Sequence, residues 1–100
     1  MIVYNVTVSL EPSIHKDWIK WMKEVHIPDV MNTGLFNSNR ICRVLENDEI
    51  TYAIQYTCEN ENKLNEYKKK YADKLQAEHT NRYKGKFGAF RTLLEIVHEQ

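Results

Sequence analysis

His15 and His26 bracket the run His15-Lys16-Asp17-Trp18-Ile19-Lys20-Trp21-Met22-Lys23-Glu24-Val25-His26-Ile27-Pro28. At about 100° per residue the two imidazoles fall about 20° apart, three turns along one helix face. Ile14, Trp18, Ile19, Met22 and Val25 share that half of the wheel, while Lys16, Asp17, Lys20, Lys23 and Glu24 fill the other. A titratable ring inside an apolar arc has to find a hydrogen-bond partner or line a cavity. A separation of about 16 Å keeps the pair from ligating one metal ion. His26, beside Pro28 and Asp29 where the chain leaves the helix, can turn toward an opening, which makes it a candidate general base. The plainer reading is that each ring bonds a neighbouring carbonyl and packs.

Two further groups of residues point to a site. The stripe Leu64, Tyr67, Tyr71 and Leu75 continues onto Glu78, His79 and Arg82, so an apolar helix face turns polar over its last two turns. His79 is the second candidate base, and Glu78 with Arg82 has the i,i+4 spacing of a solvated ion pair. On the strands, Asn5, Thr7, Arg43, Gln55 and Thr57 are read as pointing off the more apolar side, and Arg91 interrupts an apolar final strand. Glu95 lies about 13 Å further along that strand, too far to pair with Arg91. The expected ligand-binding set is therefore His15, His26, Asn5, Arg43, Gln55 and Arg91, with interface salt bridges as the other use of the two arginines. No phosphate-cradling glycine loop, CxxC or HExxH occurs, and neither serine has His and Asp companions. No metal or cofactor is expected.

The elements that carry these residues come from patterning. Ile2–Ser9 alternates as a strand, and Glu11-Pro12-Ser13 starts the first helix, which Pro28 ends or bends. Thr33-Gly34 closes the turn after it. Phe36–Leu45 and Ile50–Cys58 form a hairpin around Asn47-Asp48. Asn60 or Glu61 opens a second helix to about Tyr83, stopped by Lys84-Gly85-Lys86. Phe87–Val97 is a last strand, apolar enough to suggest burial on both faces. The order βαββαβ predicts an α+β sandwich, a four-stranded antiparallel sheet with two helices on one face. The other face keeps Val3, Ala53 and either Phe90 or Leu93, so two copies are expected to meet there as a homodimeric barrel.

One hundred residues make one domain, 1–100, and 14 basic residues balance 14 acidic ones. Lys68-Lys69-Lys70 is flanked by Glu66 and Asp73, which argues against nucleic acid or an anionic membrane as partner. Met1 runs straight into a strand, and no apolar stretch is long enough to span a bilayer, so the expectation is a cytoplasmic protein. Cys42 and Cys58 fall several positions out of register across the hairpin and are read as free thiols.

His15-x-x-Trp18-x-x-Trp21-Met22-x-x-x-His26-Ile27-Pro28, Thr33-Gly34-x-Phe36, Gln55-Tyr56 and Phe90-Arg91-Thr92-Leu93-Leu94-Glu95 together resemble a small bacterial domain-of-unknown-function family, number 4286. That family is similar to the ferredoxin-like dimeric α/β barrels. The superfamily holds cofactor-free monooxygenases, haem-degrading enzymes, isomerases and ligand-sensing domains, so the resemblance implies fold and dimer rather than one activity. Haem-degrading members use an Asn on the first strand with a His and a Trp on or near the second helix. Asn5 and His79 match two of those places, whereas the second helix offers Tyr67 and Tyr71 instead of Trp. Three readings stand: a small-molecule-binding dimer, a cofactor-free oxygenase or isomerase with a histidine base, and a non-catalytic assembly module.

Overall fold

The computed structural model describes all 100 residues, Met1–Gln100. Strand β1 (Ile2–Leu10) turns Tyr4, Val8 and Leu10 into the core, as its alternation requires. It pairs antiparallel with β3 (Ile50–Cys58) on one side and β4 (Phe87–Glu95) on the other. The shorter β2 (Ser38–Arg43) lies beyond β3, giving the spatial order β2-β3-β1-β4. Two helical rods cover one face of this sheet, which is the expected ferredoxin-like arrangement. As an edge strand, β4 cannot be enclosed by one chain. Phe90, Leu93 and Leu94 stay exposed, and the two-sided burial read from its apolar run does not occur within the protomer.

The first rod begins with a 3₁₀ turn at Pro12–Ile14 and continues as α1 (His15–Trp21). A wide π turn, Met22–His26, comes next, and then α2 (Ile27–Met31). The rod therefore runs through Pro28, which neither ends it nor forms a separate turn. In a regular helix the Pro28 ring would collide with the Glu24 carbonyl, and a widened turn just before it relieves that clash. The Ile27 amide accordingly reaches back five residues to the Met22 carbonyl. Each π turn inserts one residue and rotates the helix beyond it by about 100°. Val25, expected inside, is 41% exposed, while Ile27 and Val30 are buried.

The second rod repeats the device. Asn60 caps it, its side chain accepting the Lys63 amide at 3.0 Å. Helix α3 (Glu61–Tyr67) gives way to a π turn at Lys68–Ala72 and then to α4 (Asp73–Arg82). The buried stripe becomes Leu64, Tyr67, Ala72, Leu75 and His79, and Tyr71 is displaced to the surface. Gly34 and Gly85, each at φ 77°, take the left-handed conformation that ends the two rods. Cys42 stands opposite Ala53, as the hairpin register predicts, and both cysteines are free thiols.

Candidate functional site

Between the rods and the β1–β4 half of the sheet lies a small, partly open cavity of about 50 Å³. Its walls are apolar: Val6 and Val8 from β1, Met22 and Val30 from the first rod, Phe87 and Ala89 from β4. Set into them are His26, His79, Tyr4, Gln76, Thr80 and Arg91.

His79 is held by Trp18, whose indole N–H donates to His79 Nε2 at 2.9 Å in the buried interior. A ring nitrogen that accepts leaves the neutral imidazole proton on Nδ1, and no protein group takes that proton. His26 offers the opposite case. Its Nδ1 is buried and has no hydrogen-bond partner. Trp21 stacks on the His26 ring at 5.1 Å and 29°, and the His79 ring meets Phe87 edge-on at 4.5 Å and 88°. The two imidazoles are 5.8 Å apart and steeply inclined, at 63°.

Burial drives both histidines down to about 4. For His26 the Asp29 carboxylate opposes the shift and Arg91 assists it. For His79 the neighbouring His26 and Arg91 both assist. Both rings are neutral at pH 7, so neither adds a positive charge to the cavity, and only His26 keeps an unpaired ring nitrogen without a donor on it.

Arg91 stands opposite Val6 on β1, which puts it diagonal to Tyr4 on the face that the helices cover. Its Nε donates to the Tyr4 hydroxyl at 3.0 Å, and Gln76 Nε2 approaches the same oxygen at 3.4 Å. No carboxylate lines the cavity, and the two ion pairs of the protein, Lys70–Glu66 and Arg82–Asp17, lie elsewhere.

Of the residues singled out in the sequence, the fold brings His26, His79 and Arg91 into this cavity. His15 is on the same rod but away from it, with Nε2 2.7 Å from the Tyr52 hydroxyl. Arg43, expected on the mixed strand face, pairs with Tyr52 in the ladder and lies on the helix-covered face, its guanidinium 5.5 Å from the Tyr52 ring centre. Asn5 and Gln55 are ladder partners on the open face, with the sheet between them and the cavity. Gln55 Oε1 accepts from Arg40 Nε at 2.8 Å. Asn5 donates to Thr7 at 3.1 Å, and its buried Oδ1 has no partner. Glu78 and Arg82 do not pair; Arg82 turns to Asp17 at 3.2 Å and lies 5.3 Å over Trp21.

Sequence patterning passes over Tyr4, Trp18, Trp21 and Gln76. Tyr4 and Arg91 carry a usable signal, since strand alternation with β4 beside β1 sets them on one face. Trp21 stacks on the His26 ring. Gln76 and Trp21 depend on the wide turns, which periodicity does not contain. No three His, Cys, Asp or Glu side chains converge in a way that could hold a metal ion.

A family model for a domain of unknown function, DUF4286, matches residues 1–97. The chain belongs to the DUF4286 family. No curated protein matches it in sequence. Among solved structures, a dimeric ferredoxin-like protein from an uncultured marine organism superposes with a TM-score of 0.75 at 12% identity. The alignment covers 100% of this chain and 98% of that one. The haem degrader MhuD of Mycobacterium tuberculosis, solved with two haems in its active site, gives 0.75 at 15%, covering 100% and 99%. A conserved protein of unknown function from Bacteroides thetaiotaomicron gives 0.71 at 15%, covering 95% and 96%. At these identities the likeness establishes the ferredoxin-like fold of this DUF4286 member and nothing about its chemistry. None of its helices is long and apolar enough to cross a membrane.

Proposed function

We propose that this protein is a small-molecule-binding homodimer that holds an organic ligand in the cavity between helices and sheet. One observation carries the reading: His26 Nδ1 is buried beside His79 with no partner, in a cavity walled mostly by apolar side chains. A buried polar atom left unpaired costs about 1–3 kcal/mol, so a ligand that pairs it gains that much. The residues assigned to the ligand are His26, His79 and Arg91. His15, Asn5, Arg43 and Gln55 belong to other surfaces. Thermal-shift and imidazole NMR screens against metabolite pools test the proposal. Silence at His26 and His79 across all pools refutes it.

The homodimer is supported by the open face, where Phe90 is 62% exposed and Leu94, four residues on, shares its side of β4. Asn5, with its orphaned Oδ1, pairs with Thr92 between them. Light scattering at micromolar concentration should report twice the protomer mass, and Phe90→Lys should halve it. A monomeric wild type removes the barrel. Two free thiols support a reducing, cytoplasmic setting.

A second reading, a cofactor-free oxygenase or isomerase, is favoured by one feature: the unpaired Nδ1 of His26 in the cavity lining, a weak base while burial holds it at about 4. If turnover of an identified substrate survives alanine at both His26 and His79, that reading falls. Haem, which MhuD binds, does not fit these residues. The sheet separates Asn5 from His79, and Nε2 of His79 is occupied by Trp18.

A further inference from the structure

We infer that the cavity selects a small carboxylate, its head held by Arg91 and Tyr4 and its ring or branched chain lying among the apolar walls toward His26 and His79. The inference rests on the binding reading above and adds the charge and shape of the ligand.

The donor and acceptor inventory of the cavity carries the argument. Arg91 is the only cationic side chain among its lining residues, and no carboxylate neutralises it. Its Nε is spent on Tyr4, leaving the two Nη groups for another acceptor. Arginine has no acceptor, so the Tyr4 oxygen is the acceptor in that bond and the phenolic proton remains free to donate. Gln76 Nε2 approaches the same oxygen from its own side and likewise leaves that proton unspent. Tyr4 O–H and the Arg91 Nη groups therefore form adjacent donors with nothing in the protein to receive them. Planar, charge-assisted recognition of this kind suits the two oxygens of a carboxylate. His79 adds a further N–H on the other side of the cavity, because Trp18 fixes its proton on Nδ1.

The rest of the ligand must be apolar and slim. Met22, Val30, Ile54 and Phe87 close the interior, whose free volume is about 50 Å³, room for a few water-sized groups. That space admits one ring or a branched aliphatic chain rather than a large polycycle.

The test titrates wild-type protein with aryl, arylacetic and branched aliphatic carboxylates, each matched to its carboxamide, while monitoring the His26 and His79 imidazole resonances. The carboxylates should bind at least tenfold more tightly than their amides. Arg91→Gln, an exposed edge-strand change, should erase that preference. Tyr4→Phe should narrow the preference severalfold. Equal affinity for acid and amide, or a preference that survives Arg91→Gln, overturns the inference and leaves the binding reading standing. Silence of every compound of both series at the imidazoles also overturns the inference, while the binding reading is decided by the metabolite-pool screen.

Discussion

The two ends of the first helical rod make an instructive pair. At one end His15 is closed off by the Tyr52 hydroxyl at 2.7 Å, with Arg43 against the same tyrosine ring. At the other, His26 is stacked under Trp21 and lines a cavity, its buried Nδ1 without a partner. Residue type, helix and apolar surroundings are shared. The difference comes from the π turn between them, which sets the rings about 80° apart instead of about 20°. One histidine becomes a structural hydrogen-bonding group and the other a cavity-lining ring with an unpaired nitrogen.

Trp18 joins the two ends, touching Tyr52 at 5.2 Å and donating to His79, so its loss is the harshest way to break the contrast. Trp18→Ala should cost about 3–5 kcal/mol in chemical denaturation, from a large cavity and an unpaired His79 Nε2. An effect under about 1 kcal/mol would remove Trp18 as the link.

Acid should act on the cavity end next. Folded, His26 and His79 stay neutral down to about 4, whereas unfolded they take up protons near 6.5. The unfolded state binds more protons inside that window, so stability falls as pH drops from about 6.5 toward 4 and levels below it. Asp29 and Arg91, the charges facing these rings, enter with opposite signs for His26. The loss should amount to a few kcal/mol, on the order set by linkage over that window. Denaturation of the double variant His26→Leu, His79→Leu between about pH 7.5 and about pH 4.5 should show most of that slope gone, and an unchanged slope would assign it elsewhere.

The finest test replaces each histidine of the rod by phenylalanine. His15→Phe strips Tyr52 of its partner and should destabilise by about 1 kcal/mol. His26→Phe removes an unpaired buried nitrogen while keeping the ring against Trp21, and should stabilise by up to about 1 kcal/mol. Equal signs for the two would end the distinction drawn between them. A stabilised His26→Phe that no longer binds ligand would sharpen it, since it would show stability yielded to function.

Much of the frame is legible in the residues. Positions 50–58 alternate so cleanly that the limits of β3 come from the sequence alone, and Asn60, Gly34 and Gly85 mark rod ends through local backbone chemistry. The site is legible only in part. His26, His79 and Arg91 stand out as polar groups in apolar runs, and they do meet. Patterning puts Arg43 on the wrong face because its short, weakly alternating strand gives no register, which the ladder with Tyr52 supplies. A helix wheel puts Tyr71 and Val25 in the core because it assumes an unbroken 3.6-residue turn.

The order of elements, the burial of one sheet face and the polar residues worth watching were written in the chain, because alternation, capping and turn chemistry act over a few neighbours. Which histidine lines a cavity, and that Arg91 donates to Tyr4 there, was decided only by the folded protein. Those outcomes depend on two inserted residues in the rods and on a diagonal across β1 and β4, both fixed by packing between segments far apart in sequence.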